Sequence, residues 1–460
     1  MEKNLKSLLD VDKLDYGDVR YEKNEETSIS FENDEIKDIK SSYREGGHLR
    51  LFQKGRKAVN SFTSVEDALD MRDSLLMVAE KSADLDDRQK ELKDAPVKED
   101  EVHIEPDSDP RDYTLSEKKE LLEEYNNLAL EGDNVIKTEF RYRDFYSDRV
   151  FINSEGSRIK YELLGSYISG RVYGRKGDVV QTKRISFGGY PEFSRLVDRQ
   201  DEVRENLEIL QQMLSADPIS AGSYPVIVNP ELGSVFIHEA FGHLSEADSI
   251  ENNPEFRKRL EMDRELGGSH LNVVDDPTLE EKPGSYVYDD EGQKGERTDL
   301  IKEGKLAGRL HSRATAATFS EPISGNMRAV DCHHTPIIRM SNIFIVPGDH
   351  DPDKLFNSID EGYYLLNSRG GQTTGDQFTF GAEYGYKIEN GEKQEMVRDI
   401  NLSGELFKTL ERISMVADDL TFSEVGGCGK GSPGSGMQLN MFSGKGAPHV
   451  KIDQVTIGGK

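Results

Sequence analysis

The chain has 460 residues, of which 87 are acidic and 59 basic, giving a formal net charge of −28, with a hydrophobic fraction of 35%. The length exceeds what one hydrophobic core supports, so two domains are expected, and Phe, Tyr, Leu, Ile and Val spread along the whole chain mark a globular composition and not disorder. A surface this acidic repels phosphate backbones and anionic bilayers, which removes nucleic acid and membranes from the expected partners. No stretch approaches the ~20 apolar residues of a membrane span, the first residues (MEKNLKSLLDVDKLDYGD) have no apolar core of the signal-peptide kind, and Cys332 and Cys428 are the two cysteines. A reducing cytoplasm is the expected location, where a lone cysteine points to a ligand or nucleophile sooner than to a disulfide.

In chain order, residues 18 to 62 read as short strands separated by turns: VRYEKN, TSISFEN and GGHLRLFQKGRKAVNSFT, with Lys54-Gly55-Arg56 as a hairpin turn. Ser64 can cap a following helix that carries Val65, Ala68, Leu69, Leu75, Leu76 and Ala79 near one face. Residues 84 to 112, rich in Asp, Glu, Lys and Pro, predict an exposed loop or linker. A second helix is expected near 115 to 131, then β-type runs at VFINSEG and at RIKYELLGSYISGRVYGRKGDVVQTKRIS, a break at Gly188-Gly189, and a helix near 198 to 215. Beyond it come a strand (YPVIVNP), a helix (ELGSVFIHEAFGHLSEAD), many strands and turns, and helices near 352 to 360 and 403 to 413. Strands and helices mix without strict alternation, so the class is α+β. The expected organisation is an N-terminal α+β domain over 1–195, a connecting helix or linker over 196–223, and a C-terminal domain over 224–460, each domain a largely antiparallel sheet with flanking helices.

The segment His238-Glu239-Ala240-Phe241-Gly242-His243 carries the chemistry. Two histidines four apart on a helix lie only about 40° apart around the axis, the familiar metallopeptidase spacing, whereas five apart lie roughly 140° apart. The rings converge if a π-bulge widens the turn, with Gly242 tolerating the distortion, or if the helix ends there. Either way the backbone between 239 and 243 is expected to be irregular. Glu239, beside the first histidine, can take a proton from a water that a zinc ion acidifies and later deliver it to a leaving amine. An open zinc site usually has three protein ligands, and Cys428 in GGCGKG is the best third candidate, because glycines permit close backbone approach and a thiolate suits zinc. The same residues also have ordinary readings: HxxxxH arises by chance, and a lone cysteine is often a small buried side chain. A rival cluster, Cys332-His333-His334, is expected to have no third ligand or acid placed against it and reads as ordinary strand residues. Asp289-Asp290-Glu291-Gly292 lacks the full ligand ladder of an EF-hand and reads as a tight turn.

The surroundings of HEAFGH resemble the TldD branch of the TldD/PmbA metallopeptidases along nearly the whole chain. The resemblance rests on VIVNPELGSVFIHEAFGHLSEAD, VVDDPTLEEKPGSYVYDDEGQKGERTDLIKEGKLAGRL, PIIRMSNIFIVPGD, GGQTTGDQFTF and GGCGKGSPGSGMQLN, with IKDIKSSYREGGHLRLF near the start. It implies that His238, His243 and Cys428 bind one zinc per subunit and that Glu239 is the catalytic glutamate. It further implies a zinc metallopeptidase working on peptides or unfolded segments inside an enclosed cavity of a dimer, commonly a heterodimer with a TldE/PmbA-like paralogue. Departures are small: Leu244-Ser245 follow the second histidine where a glycine often appears, and Cys332-His333-His334 sits in a segment that usually lacks such residues. Glu246 and Asp248 can orient a ligand ring, or equally be solvated helix acids. Two other functions fit the same residues: a zinc-containing peptide-binding or chaperone-like subunit without turnover, which has no need of Glu239, and an amidohydrolase with a small closed pocket.

Overall fold

The computed structural model describes residues 2–11, 14–83, 90–432 and 436–458. Its first half is built on one sheet of long antiparallel strands. β1 (Tyr16–Glu32), β2 (Glu35–Gln53), β3 (Arg56–Phe62), β4 (Glu99–Val102), β5 (Val135–Asn153), β6 (Arg158–Lys176) and β7 (Val179–Gly189) assemble in the order β3-β2-β1-β5-β6-β4, with β7 sharing the outer edge of β6 with β4. The two short strands expected over 19–24 and 27–33 are one continuous strand. Asn24-Glu25-Glu26, which reads as a break, is paired on both sides, with Arg44-Tyr43-Ser42 and with Ser147-Tyr146-Phe145, and the Glu26 carboxylate lies 2.8 Å from Arg143. Pairing on two edges here overrides local turn preference. β5 likewise begins at Val135, well before the expected VFINSEG run, because its charged residues alternate with buried Phe140 and Tyr142.

The hairpin turn falls where expected, with Lys54 and Gly55 both at positive φ (52° and 69°), the geometry that suits the twist of a two-residue hairpin. Helix α1 (Glu2–Ser7) precedes the sheet. Ser64 caps α2 (Val65–Ser82), its hydroxyl accepting from the Asp67 amide, and Ala68 of α2 is buried in a cluster with Leu49, Leu51 and Phe62. α3 (Leu115–Leu130) opens on a capping box of Thr114 and Glu117 and packs with α4 (Gln200–Ser215) over Ile29, Phe140, Ile168 and Phe187. Within the expected 84–112 loop, residues 84–89 lie outside the described residues, and Glu99–Val102 adds as a parallel edge strand to β6 with mostly exposed side chains.

In the second half, β8 (Asp217–Pro218) is a short edge strand and β9 (Gly222–Val228) enters a ring. Strands Glu361–Thr374, β9, Val450–Gly458, Ile400–Glu405 and Gln377–Glu389 pair in succession, and the first and last of these also pair with each other, closing the ring. The expected helices at 352–360 and 403–413 are shorter, Pro352–Phe356 and Leu406–Glu411, and the second starts late because residues 400–405 are drawn into this ring. A second sheet of six short strands includes Val273–Asp275, Asn342–Ile345 and Gly444–Ala447. Helix α5 (Pro230–Ile237) lies between the two systems, contacting Glu361–Thr374 on one side and Asn342–Ile345 and Gly444–Ala447 on the other. Its Leu232, Phe236 and Ile237 belong to the largest hydrophobic cluster. The architecture is mixed α+β with largely antiparallel sheets.

The turn at Asp289–Gly292 is tight, with Gly292 at φ +70°, but it is not a solvated loop. Asp290 is 2% and Glu291 3% exposed. Asp290 meets Arg20 of β1 at 3.0 Å and Arg149 of β5 at 3.2 Å, Glu291 meets Arg50 of β2 at 3.0 Å, and Tyr161 of β6 donates to Asp290. Arg50 also pairs with Asp18 at 2.6 Å and Arg149 with Glu22 at 3.0 Å. A dense set of alternating charges therefore joins the first sheet to the second half of the chain.

Candidate metal centre

Asn229 caps α5 by accepting from the Leu232 amide at 3.0 Å, and Pro230 occupies the first helical turn, where its missing N–H costs nothing. The helix runs to Ile237 and then widens into a π-helical turn over His238–Gly242, before His243–Ser245 returns to α geometry. The extra residue per turn rotates position i+5 back onto the face of position i. The His238 and His243 rings accordingly approach to 5.3 Å between centroids, at 83° to each other. Gly242 has ordinary helical dihedrals (φ −54°, ψ −48°), so backbone freedom is not why it is there. A Cβ at this position would stand 2.2 Å from Met340 Sδ and 2.9 Å from Ile343 Cδ1; the glycine lets the wide turn pack against that chain segment.

Cys428 begins a strand, Cys428–Ser432, that pairs antiparallel with Gly436–Met441. Gly426 just before it passes so close to Ser443 that a Cβ would lie 1.8 Å from the Ser443 carbonyl oxygen. This hairpin carries the thiol to within 3.2 Å of His243 Nε2. Ligand atoms of His238, His243 and Cys428 all lie within 4.8 Å of one another, and no other group of three His, Cys or acidic side chains is drawn together this way among the described residues. Zinc–sulfur and zinc–nitrogen bonds of about 2.3 and 2.0 Å at tetrahedral angles place sulfur and nitrogen roughly 3.5 Å apart, close to the separation seen.

The environment also fits a metal. His238 is 0% exposed, and neither ring nitrogen has a hydrogen-bond partner. A buried polar atom left this way costs about 1–3 kcal/mol unless something not yet counted satisfies it. Burial, reinforced by the positive charges of Lys445, His243 and Arg339, holds its pKa well below the ordinary histidine value, so the ring is neutral and offers a lone pair. His243 is oriented from behind: its Nδ1 lies 2.9 Å from Glu246 Oε2, leaving Nε2 toward Cys428. Burial lowers the His243 pKa, but Glu246 and the Cys428 thiol outweigh that and push it up to about 10, so a metal ion here competes with a held proton. Burial likewise raises Glu246, yet Lys430 and His243 hold its carboxyl down at about 2. Glu239 is the more accessible acid, 28% exposed, with its oxygens 3.9 Å from His238 Nε2 and 3.7 Å from His243 Nε2. It faces the same space as the ligand atoms without replacing any of them.

Cys332-His333-His334 does not join this cluster, and it forms a turn where a strand was expected. Asp331 accounts for the turn, accepting from the His333 amide and lying 2.6 Å from His334 Nδ1, while the Cys332 thiol is buried beside Gly46 of β2. Two cations near the centre, one part-buried and one buried, escaped the sequence reading. Lys430 contacts Glu246, and Arg339, 1% exposed, acts electrostatically on both His238 and Glu246. Lys430 had a signal, since it stands two residues from Cys428 in a strand, where side chains two apart share a face; Arg339 had none. A cavity of about 1100 Å³ lies between the first sheet and the second half of the chain, and Leu439 and Met441 of the Cys428 hairpin form part of its wall, with Arg143, Tyr146, Tyr190 and Phe442.

Two histidines, a thiol and a free carboxylate converging on one buried point define a candidate metallohydrolase centre. Three family models match in succession: PmbA/TldA metallopeptidase domain 1 over residues 17–85, the central domain over 108–216 and the C-terminal domain over 221–459. A metalloprotease of Synechocystis is 34% identical over 97% of this chain and 95% of its own length. A zinc metalloprotease TldD homolog of Saccharolobus solfataricus is 35% identical over 69% of this chain and 70% of its own. The chain belongs to the PmbA/TldD metallopeptidase family. The same fold occurs in TldE from Thermococcus kodakarensis (TM-score 0.74, 18% identity, 99% of this chain and 98% of that one). It also occurs in a Thermotoga maritima protein described as a modulator of a DNA gyrase (TM-score 0.78, 16% identity, 99% of both chains). Among the described residues no helix is long and apolar enough to cross a membrane.

Proposed function

We propose that this chain is a zinc-dependent peptidase in which His238, His243 and Cys428 hold one zinc ion per subunit and Glu239 is the catalytic base. Zinc held there would acidify a water to a pKa of about 7 and polarise the scissile carbonyl. His238 contributes a neutral ring kept so by burial, and Cys428 contributes a soft thiolate. Glu239 takes the proton of the attacking water, and by the same carboxylate returns it to the departing amine. The arrangement of Glu239 carries this reading: it borders both ligand rings at 3.7–3.9 Å while remaining partly open, where a purely structural site has no use for an acid.

The substrates we infer are peptides or unfolded segments. The partner we infer is a second subunit, in the heterodimeric case a TldE/PmbA-like paralogue, supported by the shared fold with TldE. Direct contact with DNA is disfavoured by the net charge of −28.

The test is Glu239→Gln against wild type, each alone and with a TldE-like partner, measuring zinc content and cleavage of an unstructured peptide. Equal zinc with cleavage lowered about 10²–10⁴-fold in the variant is expected for loss of a general base. A variant that cuts as well as wild type, or a wild type that does not cut with its partner present, would instead favour a peptide-binding, chaperone-like subunit.

A further inference from the structure

We infer that Lys430 is a positioning residue that locks the two ligand-bearing segments of the centre together, acting through Glu246 on His243 and through its own strand on Cys428. The inference rests on the reading of His238, His243 and Cys428 as metal ligands.

The Lys430 ammonium is only 11% exposed and its three N–H donors meet three acceptors: Glu246 Oε2 at 3.0 Å, Asp248 Oδ1 at 2.6 Å and the Ile338 carbonyl at 3.1 Å. Glu246 Oε2 is the same oxygen that lies 2.9 Å from His243 Nδ1, so ammonium, carboxylate and imidazole form a single chain of contacts ending on the ring whose Nε2 faces Cys428. Cys428 and Lys430 sit on one strand. His243 and Cys428 are 185 positions apart, and loop-closure alone does not hold two such segments in register. Among the described residues, Lys430 makes the ion pairs that join this strand to the segment following His243.

Two further observations separate this from simple charge neutralisation. The Ile338 carbonyl belongs to the chain segment whose Met340 packs against Gly242, so Lys430 also touches the wall against which the π-helical turn rests. Glu246 Oε1 has no partner, so its carboxylate is oriented by its other oxygen alone, and removing Lys430 leaves that orientation to His243. Groups that orient a metal-bound histidine from behind typically change metal affinity 10–100-fold when lost.

The experiment compares wild type, Lys430→Met, Lys430→Arg and Glu246→Gln as full-length chains, reading zinc affinity by competition with a chromophoric chelator and the absorption of the cobalt(II)-substituted protein, with apo-protein thermal unfolding as the check on folding. K430M is expected to bind zinc about 10–100-fold more weakly and to lose intensity in the thiolate-to-cobalt charge-transfer band. K430R, which keeps the charge, is expected to recover part of both. The K430M/E246Q pair should fall less than the sum of its singles, because both act along one chain of contacts. If K430M does not fold, the same readings on E246Q decide: unchanged affinity and spectrum overturn the inference. A folded K430M with wild-type affinity and spectrum overturns it alone, whereas a wild type that binds neither zinc nor cobalt overturns the metal reading with it.

Discussion

Among the described residues, the buried polar clusters around Asp290 and around His238 differ in how their charges are met. Around Asp290, three arginines and four carboxylates from distant parts of the chain meet in ion pairs of 3.2 Å or less. Around His238, a ring buried as deeply leaves both nitrogens unmet while a thiol, a second imidazole and a carboxylate converge on the same point. Buried charge is tolerable only when paired; in the first cluster every charged group meets an opposite charge, although Arg20 Nε and Glu22 Oε1 lack a hydrogen-bond partner, and the cluster reads as a joint between the two halves. The second is complete only with a further group, and the chemistry of its donors suits a metal. A neutral ring with both nitrogens unmet and other donors converging on it is thus more informative about function than a network in which each charge has its opposite.

The contrast predicts opposite responses to mutation. The largest effect is expected at the joint: Asp290→Ala strands Arg20 and Arg149 without their shared acid and should destabilise the protein by about 3–5 kcal/mol. Urea unfolding should show that loss equally with and without zinc. A loss below about 1 kcal/mol, in the range of exposed pairs, would make the cluster ornamental.

A smaller effect of the opposite sign is expected at the centre. His238→Phe removes two unmet nitrogens from a fully buried position, so the zinc-free protein should gain about 1 kcal/mol while zinc binding is lost. The pH dependence sharpens this. His238 has a folded pKa well below that of an unfolded histidine, which lies near ~6.5. As pH falls through that value the unfolded chain takes up a proton that the folded ring refuses, so this contribution to stability is lost toward acid, by up to about 1.4 kcal/mol per pH unit. The difference between wild-type and His238→Phe stability, measured without metal from pH 7.5 to 5, should therefore widen in favour of the variant. A flat difference curve would mean that His238 is not held neutral by burial.

The two clusters were unequally legible in the sequence. The histidine spacing announces itself, because residues five apart on a regular helix cannot converge, and the wide turn over His238–Gly242 is the physical way out. The role of Gly242 was not legible, since it depends on Met340 and Ile343, which are remote in sequence. Cys428 was suggested by its glycines and by resemblance to relatives; Lys430 beside it was overlooked because a lone lysine in a glycine-rich strand looks solvated until Glu246 and Asp248 are placed against it. The joint was invisible for the same reason. Asp289-Asp290-Glu291-Gly292 has the composition of an exposed turn and does turn, but Arg20 and Arg149 bury it, and no local pattern links residues that far apart. The continuity of β1 was hidden by Asn24-Glu25-Glu26, which is paired on both edges and whose Glu26 meets Arg143 of the neighbouring strand, a property of register and not of composition.

The most direct measurement is X-ray absorption at the zinc edge on the purified, zinc-loaded protein. The account predicts one sulfur at about 2.3 Å and two histidine nitrogens at about 2.0 Å, with the sulfur lost in Cys428→Ser. A zinc shell without sulfur, or one unchanged in Cys428→Ser, would contradict the assignment of His238, His243 and Cys428 as the ligands.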